Sequence, residues 1–226
     1  MSRQPMHVAR QSAAERPLLD VTPRITPRLA VWPGDTPPAR EVLLEIARGA
    51  TVTLSTLRAT VHLGAHADAP NHYAGGAAAI DERALGYYIG ECAVVHVAAA
   101  RGQRVTPQLF EAAAGGAALP PRVLIGTGTF PDPETWNEDF AALAPELVDR
   151  LHERGVRLVG IDTPSVDLMH DKQLLAHGRF LAHDMAILEG LVLSDAPAGR
   201  YELIALPLPL AGFDASPVRA VLRPYA

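Results

Sequence analysis

The sequence predicts a single compact α/β domain with a mixed sheet and few helices. Three observations carry that reading. The chain has 226 residues and 48% hydrophobic content, enough for one sizeable core. Short apolar runs of strand length outnumber helical patterns. Its 20 prolines interrupt the chain too often for a regular doubly wound fold.

Residues 1–16 are polar and irregular and are expected to form a disordered extension, with the domain covering 17–226. Strands are expected at Leu18–Val21, Val42–Ile46, Val52–Thr60, Ala93–Val97, Val123–Gly126, Arg157–Ile161 and Glu202–Leu206. Val218–Leu222 reads as a closing strand. Thr106-Pro107 is an N-cap followed by proline at the first helical position, opening a helix through Ala114. Pro145 opens a second helix, with an apolar stripe of Leu147, Val148 and Leu151 and an end at Arg154-Gly155. A third is expected over Lys172–Ala182, and Leu188–Leu193 reads as the start of a strand. The run Gly126-Thr127-Gly128-Thr129 lacks the Lys-Ser/Thr ending of a phosphate loop.

Composition narrows the class of function. A net charge of −5 gives no electrostatic footprint for nucleic acid. No apolar run approaches the ~20 residues needed to cross a bilayer. Met1–Pro5 lacks the apolar core of a signal peptide, so a cytoplasmic location is expected. Cys92 is the only cysteine, which leaves no internal disulfide. It lies in an apolar run, Glu91–Val97, where a packing role is expected and where His96 reads as a satisfied core histidine.

The informative stretch is His62-Leu63-Gly64-Ala65-His66-Ala67-Asp68-Ala69-Pro70-Asn71-His72. It holds three of the chain's nine histidines and a carboxylate. Imidazole and carboxylate are ligands for zinc and manganese, so the cluster reads as a metal site. A helix fails, because positions 66 and 68 would point roughly 200° apart and Gly64 and Pro70 oppose it. An extended chain puts residues 62, 66, 68 and 72 on one face. A straight strand would still hold His62 and His72 about 33 Å apart. The chain must therefore bend, and Gly64 and Pro70-Asn71 are suited to bending it. The small neighbours Ala65, Ala67 and Ala69 are expected to let the backbone approach an ion or substrate closely. The competing reading is a solvated polar turn with incidental histidines.

Further ligands must come from elsewhere, with His170, His177, His183, Asp184 and Glu189 as candidates. His177 and Glu189 would be roughly 18 Å apart on one continuous helix, so both reach one metal only if the helix ends between them. A carboxylate in an apolar run such as Leu188-Glu189 is rarely buried unless paired or metal-bound. Alternatively, Glu189 is an edge-exposed charge and His177 a surface histidine. No serine stands in a G-x-S-x-G context, which removes the usual nucleophile elbow.

These residues resemble a known family. The block is similar to the H-x-G-T-H-x-D-x-P-x-H signature of the metal-dependent cyclase-like hydrolases, and the chain resembles their bacterial kynurenine formamidase branch. Val31–Pro37, Gly160–Ser165, Ala182–Gly190 and Asp214–Leu222 carry the likeness further, in order. Ala65 departs from the signature threonine, and Leu63 from a position often polar in this branch. The resemblance implies the swivelling β/β/α cyclase-like fold, a homodimer and two divalent metals per subunit, zinc or alternatively manganese. It implies His62, His66, Asp68, His177 and Glu189 as ligands, Asp68 and Glu189 as bridges, and His72 as the catalytic acid/base. The implied reaction is hydrolysis of N-formyl-L-kynurenine to L-kynurenine and formate. Trp32, in a Pro/Gly-rich loop, is then a candidate to stack on the aryl ring, against a plain core-packing role. The alternatives are a hydrolase of a cyclic amide or imide such as isatin, and a metal-binding protein without catalysis.

Overall fold

The computed structural model describes residues 18–225, so the expected extension at 1–16 lies outside the described residues. The first strands are β1 (Leu19–Asp20), β2 (Ala39–Leu44), β3 (Leu54–Arg58) and β4 (His66–Asp68). Then come β5 (Ile89–His96), β6 (Arg104–Val105), α1 (Pro107–Ala114), β7 (Arg122–Gly126) and β8 (Ala142–Leu143). The second half holds α2 (Pro145–Glu153), β9 (Leu158–Ile161), α3 (Leu175–Ala182), β10 (Ala186–Glu189), β11 (Gly199–Ile204), β12 (Ala215–Pro217) and β13 (Val221–Pro224).

Nine strands form one curled mixed sheet in the order β1-β13-β11-β5-β7-β9-β10-β4-β12. The inner strands β5, β7, β9 and β10 run parallel. Strands β7, β9 and β10 are buried along their whole length, which explains their unbroken apolar runs. The outer pairs are antiparallel. Strands β2 and β3 form a separate hairpin.

The three helices cover one face. Phe110, Leu147, Leu151, Ala176 and Phe180 pack there on Val123, Ile125, Val159, Ile161 and Ile187. The other face carries Val94, Leu124, Leu158 and Leu188 and is covered by Val21, Ile80, Tyr88, Leu191 and Leu193. The first two helices are built as their sequences indicate. The Thr106 side chain accepts from Leu109 N at 3.3 Å, and Gly115 closes α1 in the left-handed conformation. In α2, Leu147, Val148 and Leu151 are the buried stripe.

Several boundaries differ from expectation. Helix α3 starts at Leu175, not Lys172. Asp171 accepts from Gln173 N at 2.8 Å, and Leu174 is left-handed with φ 48°. That aspartate turn competes with helix over 172–174. Strand β10 ends at Glu189 rather than starting there, because Gly190 turns the chain with φ 64°. The closing strand is two pieces, with β12 on β4 and β13 on β11. Strand β2 begins earlier than expected and stops at Leu44, and Ile46–Arg48 is a short 3-10 turn. His96 is exposed rather than in the core, although its Nε2 meets Ala196 O at 2.8 Å. Cys92 is fully buried, which pushes its thiol up to about 12 and fits a packing role.

Gly190 fixes the end of β10 against the signature loop. A Cβ there would sit 2.2 Å from Gly64 O, a backbone atom that cannot move aside cheaply. Gly190→Ala should therefore lower unfolding stability by about 1–3 kcal/mol, from the left-handed backbone and the clash together. A urea unfolding midpoint unchanged from wild type would contradict this.

Candidate metal centre

Sheet register assembles the site. In the β10–β4 ladder Glu189 stands opposite His66, and Ile187 opposite Asp68. Paired residues share a face, so the carboxylate and the imidazole point to the same side as Ile187, the side that α3 covers. Helix α3 lowers His177 onto that face. The chain bends where expected. Gly64 is left-handed with φ 57°, and Pro70–His72 forms a 3-10 turn. His62 and His72 thus curl back towards β4.

Two groups of side chains share Asp68: His62, His66 and Asp68 form one, and Asp68, His177 and Glu189 the other. A third group, His62, His72 and Asp214, shares His62 with the first. Asp68 Oδ1 lies 3.1 Å from His62 Nδ1 and 3.4 Å from His66 Nε2, while its Oδ2 lies 3.4 Å from His177 Nε2. Glu189 spans the two groups that share Asp68, with Oε2 3.3 Å from His66 Nε2 and Oε1 3.7 Å from His177 Nε2. Glu189 Oε1 also accepts from Val166 N at 2.7 Å.

These residues fit a divalent cation on two grounds. His66, Asp68, His177 and Glu189 are each no more than 3% exposed. Yet His66 Nε2, both Asp68 oxygens and His177 Nε2 make no hydrogen bond. Buried polar atoms without partners are costly, and here they face one another across spaces of ion size. The charge argument agrees. Burial works against a charged His62, but the Asp68 carboxylate outweighs it and holds the imidazole up at about 9. Burial also opposes a charged His177, which Asp167 and Asp68 raise to about 10. Burial alone would raise Asp68, but the histidines beside it hold its carboxyl well below the usual range. The site thus demands positive charge, which a bound cation would supply.

Some sequence candidates do not join. His170 is exposed beside Glu138. His183 bonds Asp149, and Asp184 accepts from Arg83 and Tyr87. Ala65, Ala67 and Ala69 do not line the approach to the ion, as expected of them. Alternation turns them to the opposite face, where they are buried in the core. The Ala65 and Leu63 departures remove nothing from the ligand groups, since both side chains are buried outside them.

The site opens into a cavity of about 480 Å³. Trp32 lines it at 37% exposure, so it does not simply pack the core. It makes an edge contact with Trp136 at 5.3 Å between ring centroids. Phe130 and Trp136 join the same wall. His72 lies at the cavity edge and is exposed. Asp162 anchors one side by accepting from Thr127 N and Gly128 N. This is the role of the Gly-Thr-Gly-Thr run.

Sequence reasoning missed Asp167. Its carboxylate accepts from Ala176 N and His177 N, both at 3.0 Å, and so caps α3. It also meets His177 Nδ1 at 2.9 Å, and Arg104 donates to it at 2.8 Å. The signal was available, since Val166-Asp167-Leu168 is a carboxylate in an apolar run, the argument applied to Glu189. Asp167 fixes which nitrogen of His177 faces the cluster. Asp167→Asn should weaken zinc binding about 10- to 100-fold, read by competition against a chromogenic chelator. Unchanged affinity would remove Asp167 from the support of the site.

Comparison with known proteins bears on the fold and the family. A structure described as a potential metal-dependent hydrolase with cyclase activity is 26% identical, with TM-score 0.76, covering 91% of this chain and 96% of that one. A predicted metal-dependent hydrolase from Bacillus stearothermophilus is 27% identical, with TM-score 0.75 and coverage of 91% and 97%. Isatin hydrolase A from Labrenzia aggregata, at 22% identity, TM-score 0.76 and coverage of 91% and 93%, shares the fold. The Cyclase family model matches residues 19–168, more than half of the 226. The chain belongs to the Cyclase family.

Proposed function

We propose that this protein is a metal-dependent amidohydrolase that converts N-formyl-L-kynurenine to L-kynurenine and formate. One observation carries the reading: paired imidazole–carboxylate groups sharing Asp68 lie beneath an aromatic-walled cavity with His72 at its edge. His62, His66 and Asp68 would hold one divalent ion, and Asp68, His177 and Glu189 a second, most simply zinc, with manganese compatible with the same donors. Bound there, the ions would supply Lewis acidity for the carbonyl and a water of lowered pKa for attack.

The chain's own residues do the rest. Trp32, with Trp136 and Phe130 behind it, offers flat apolar surface to the aryl ring. Asp167 holds the His177 ring fixed, so the ligand set need not reorganise during the reaction. His72 can give a proton to the departing aryl amine, and its exposure lets it recover that proton from solvent.

A second reading keeps the scaffold and changes the substrate to a cyclic amide such as isatin. The likeness to isatin hydrolases favours it. Metal binding without catalysis is disfavoured by the cavity and by His72 at its edge. The assembly we infer is a homodimer. Every residue of β2 and β3 is exposed, with Leu43 at 50% and Leu57 at 63%. A two-stranded sheet is marginal alone, and such an apolar surface suits a second copy of the chain. Leu57→Glu should then give a monomer by light scattering, and a wild-type monomer would sink the inference. Among the described residues no helix is long and apolar enough to cross a membrane.

The direct test is turnover of N-formyl-L-kynurenine by zinc-loaded protein, with a chelator-stripped control and isatin in parallel. Kynurenine formation lost on stripping and restored by zinc is the expected result. Turnover of isatin alone would transfer the reading to cyclic amides. His72→Ala should keep its metal and lose about 100-fold or more in kcat, whereas Asp68→Ala should lose metal from both groups. A His72→Ala protein depleted of metal would make His72 a ligand.

A further inference from the structure

Asp214 stands immediately before β12, the edge strand paired with β4. Its carbonyl accepts from Ala69 N at 2.8 Å, one residue before the turn that carries His72. That bond sets its carboxylate beside the loop. Oδ2 lies 3.0 Å from His62 Nε2 and 3.4 Å from His72 Nδ1. The two imidazole rings are 4.2 Å apart between centroids. On its other side His62 faces Asp68, Nδ1 to Oδ1, at 3.1 Å. Acid and imidazole alternate, Asp68–His62–Asp214–His72, from the buried groups out to the cavity edge.

This order has a consequence for His72. A neutral imidazole carries its proton on one nitrogen only, and a carboxylate can only accept. An acceptor beside Nδ1 selects the form with the proton on Nδ1 and leaves Nε2 for the substrate. A 3.4 Å contact is long, but such contacts often tighten once substrate is bound.

We propose that Asp214 is a positioning residue that holds His72 in the Nδ1-protonated form and links it to His62. The inference rests on the amidohydrolase reading of the site. When the C–N bond of the formamide breaks, its electron pair passes to the nitrogen, which takes the proton from Nε2 of the His72 imidazolium. His72 is left neutral, with its Nδ1 proton still directed at Asp214.

The first test needs no turnover. Zinc-loaded protein labelled with nitrogen-15 histidine is compared with Asp214→Asn by long-range proton–nitrogen NMR, where His72 is neutral. The expected result is an Nδ1–H His72 in wild type and an Nε2–H His72 in the variant. The same form in both overturns the proposal. The second test compares N-formyl-L-kynurenine with para-nitrophenyl formate, whose phenolate leaves without a proton. With zinc saturating, Asp214→Asn should lower kcat on the amide about 10- to 100-fold, with KM unchanged and with little loss on the ester. Asp214→Glu should recover part of the amide rate. Equal losses on both substrates at full zinc occupancy would mean that Asp214 acts through His62 and the metal set, and would overturn the proposal. A wild type inert towards the amide would remove the formamidase reading, while the NMR result still decides the role of Asp214.

Discussion

Burying a carboxylate costs several kcal/mol unless charge and hydrogen bonds accompany it. Asp68 and Glu189 are both buried, with ligand oxygens within 4.8 Å of each other, and His66 and His177 each approach both. Hydrogen bonds within the protein do not satisfy them fully, because both Asp68 oxygens remain without a partner. That shortfall organises the site. It explains why His62 and His177 are driven towards the protonated state, and why the cluster suits a cation better than a purely structural network. It also explains the ring of supports. Val166 N steadies Glu189, Asp167 steadies His177, and Arg104 in turn steadies Asp167 and Asp171.

The sheet makes this burial sustainable. Parallel strands β7, β9 and β10 end at the same side of the sheet, and the residues following them turn outward to form the cavity wall. Binding in the crevice beyond the carboxyl ends of parallel strands is a general property of open α/β sheets. Here the crevice is modified by antiparallel β4, which runs back along β10 and brings the signature loop to that edge. Gly190 and Gly64 touch closely enough to lock the strand end and the loop together. Of the proposed ligands, His66, Asp68 and Glu189 sit on strands and His177 on a helix, which holds them more rigidly than a loop would, while His62 lies on the bend before β4.

A formamide and a cyclic amide on an aryl ring present closely related demands. Both need a polarised carbonyl, an activated water and protonation of an aryl nitrogen. The metal groups therefore say little about which is cleaved, and discrimination falls to the cavity wall. In this chain that wall is aromatic around Trp32, Trp136 and Phe130, with His72 at its edge. Under the proposed reading such a wall would recognise a flat ring, and the polar residues near His72 would act on the bond beside it.

The eleven-residue block by itself pointed to a metal centre. Its residue types named the donors, and Gly64 and Pro70 marked where the chain had to bend, because their backbone preferences are local. The apolar runs of β7 and β9, and the proline-opened helices α1 and α2, were legible for the same reason. The partners of the block were not, because they depend on sheet register and on the placement of α3. Nothing within 120 residues of His66 states that Glu189 will stand opposite it; the β10–β4 pairing decides that. The sequence also misdirected where a local pattern met a tertiary choice. Ala65, Ala67 and Ala69 were expected to let the backbone approach an ion or substrate, but strand alternation sent them into the core, away from the side chains beside them in the chain. Asp167 and Asp214 acquire meaning only once folding brings His177 and His72 to them, since a carboxylate that orients an imidazole is defined by distance in space, not along the chain.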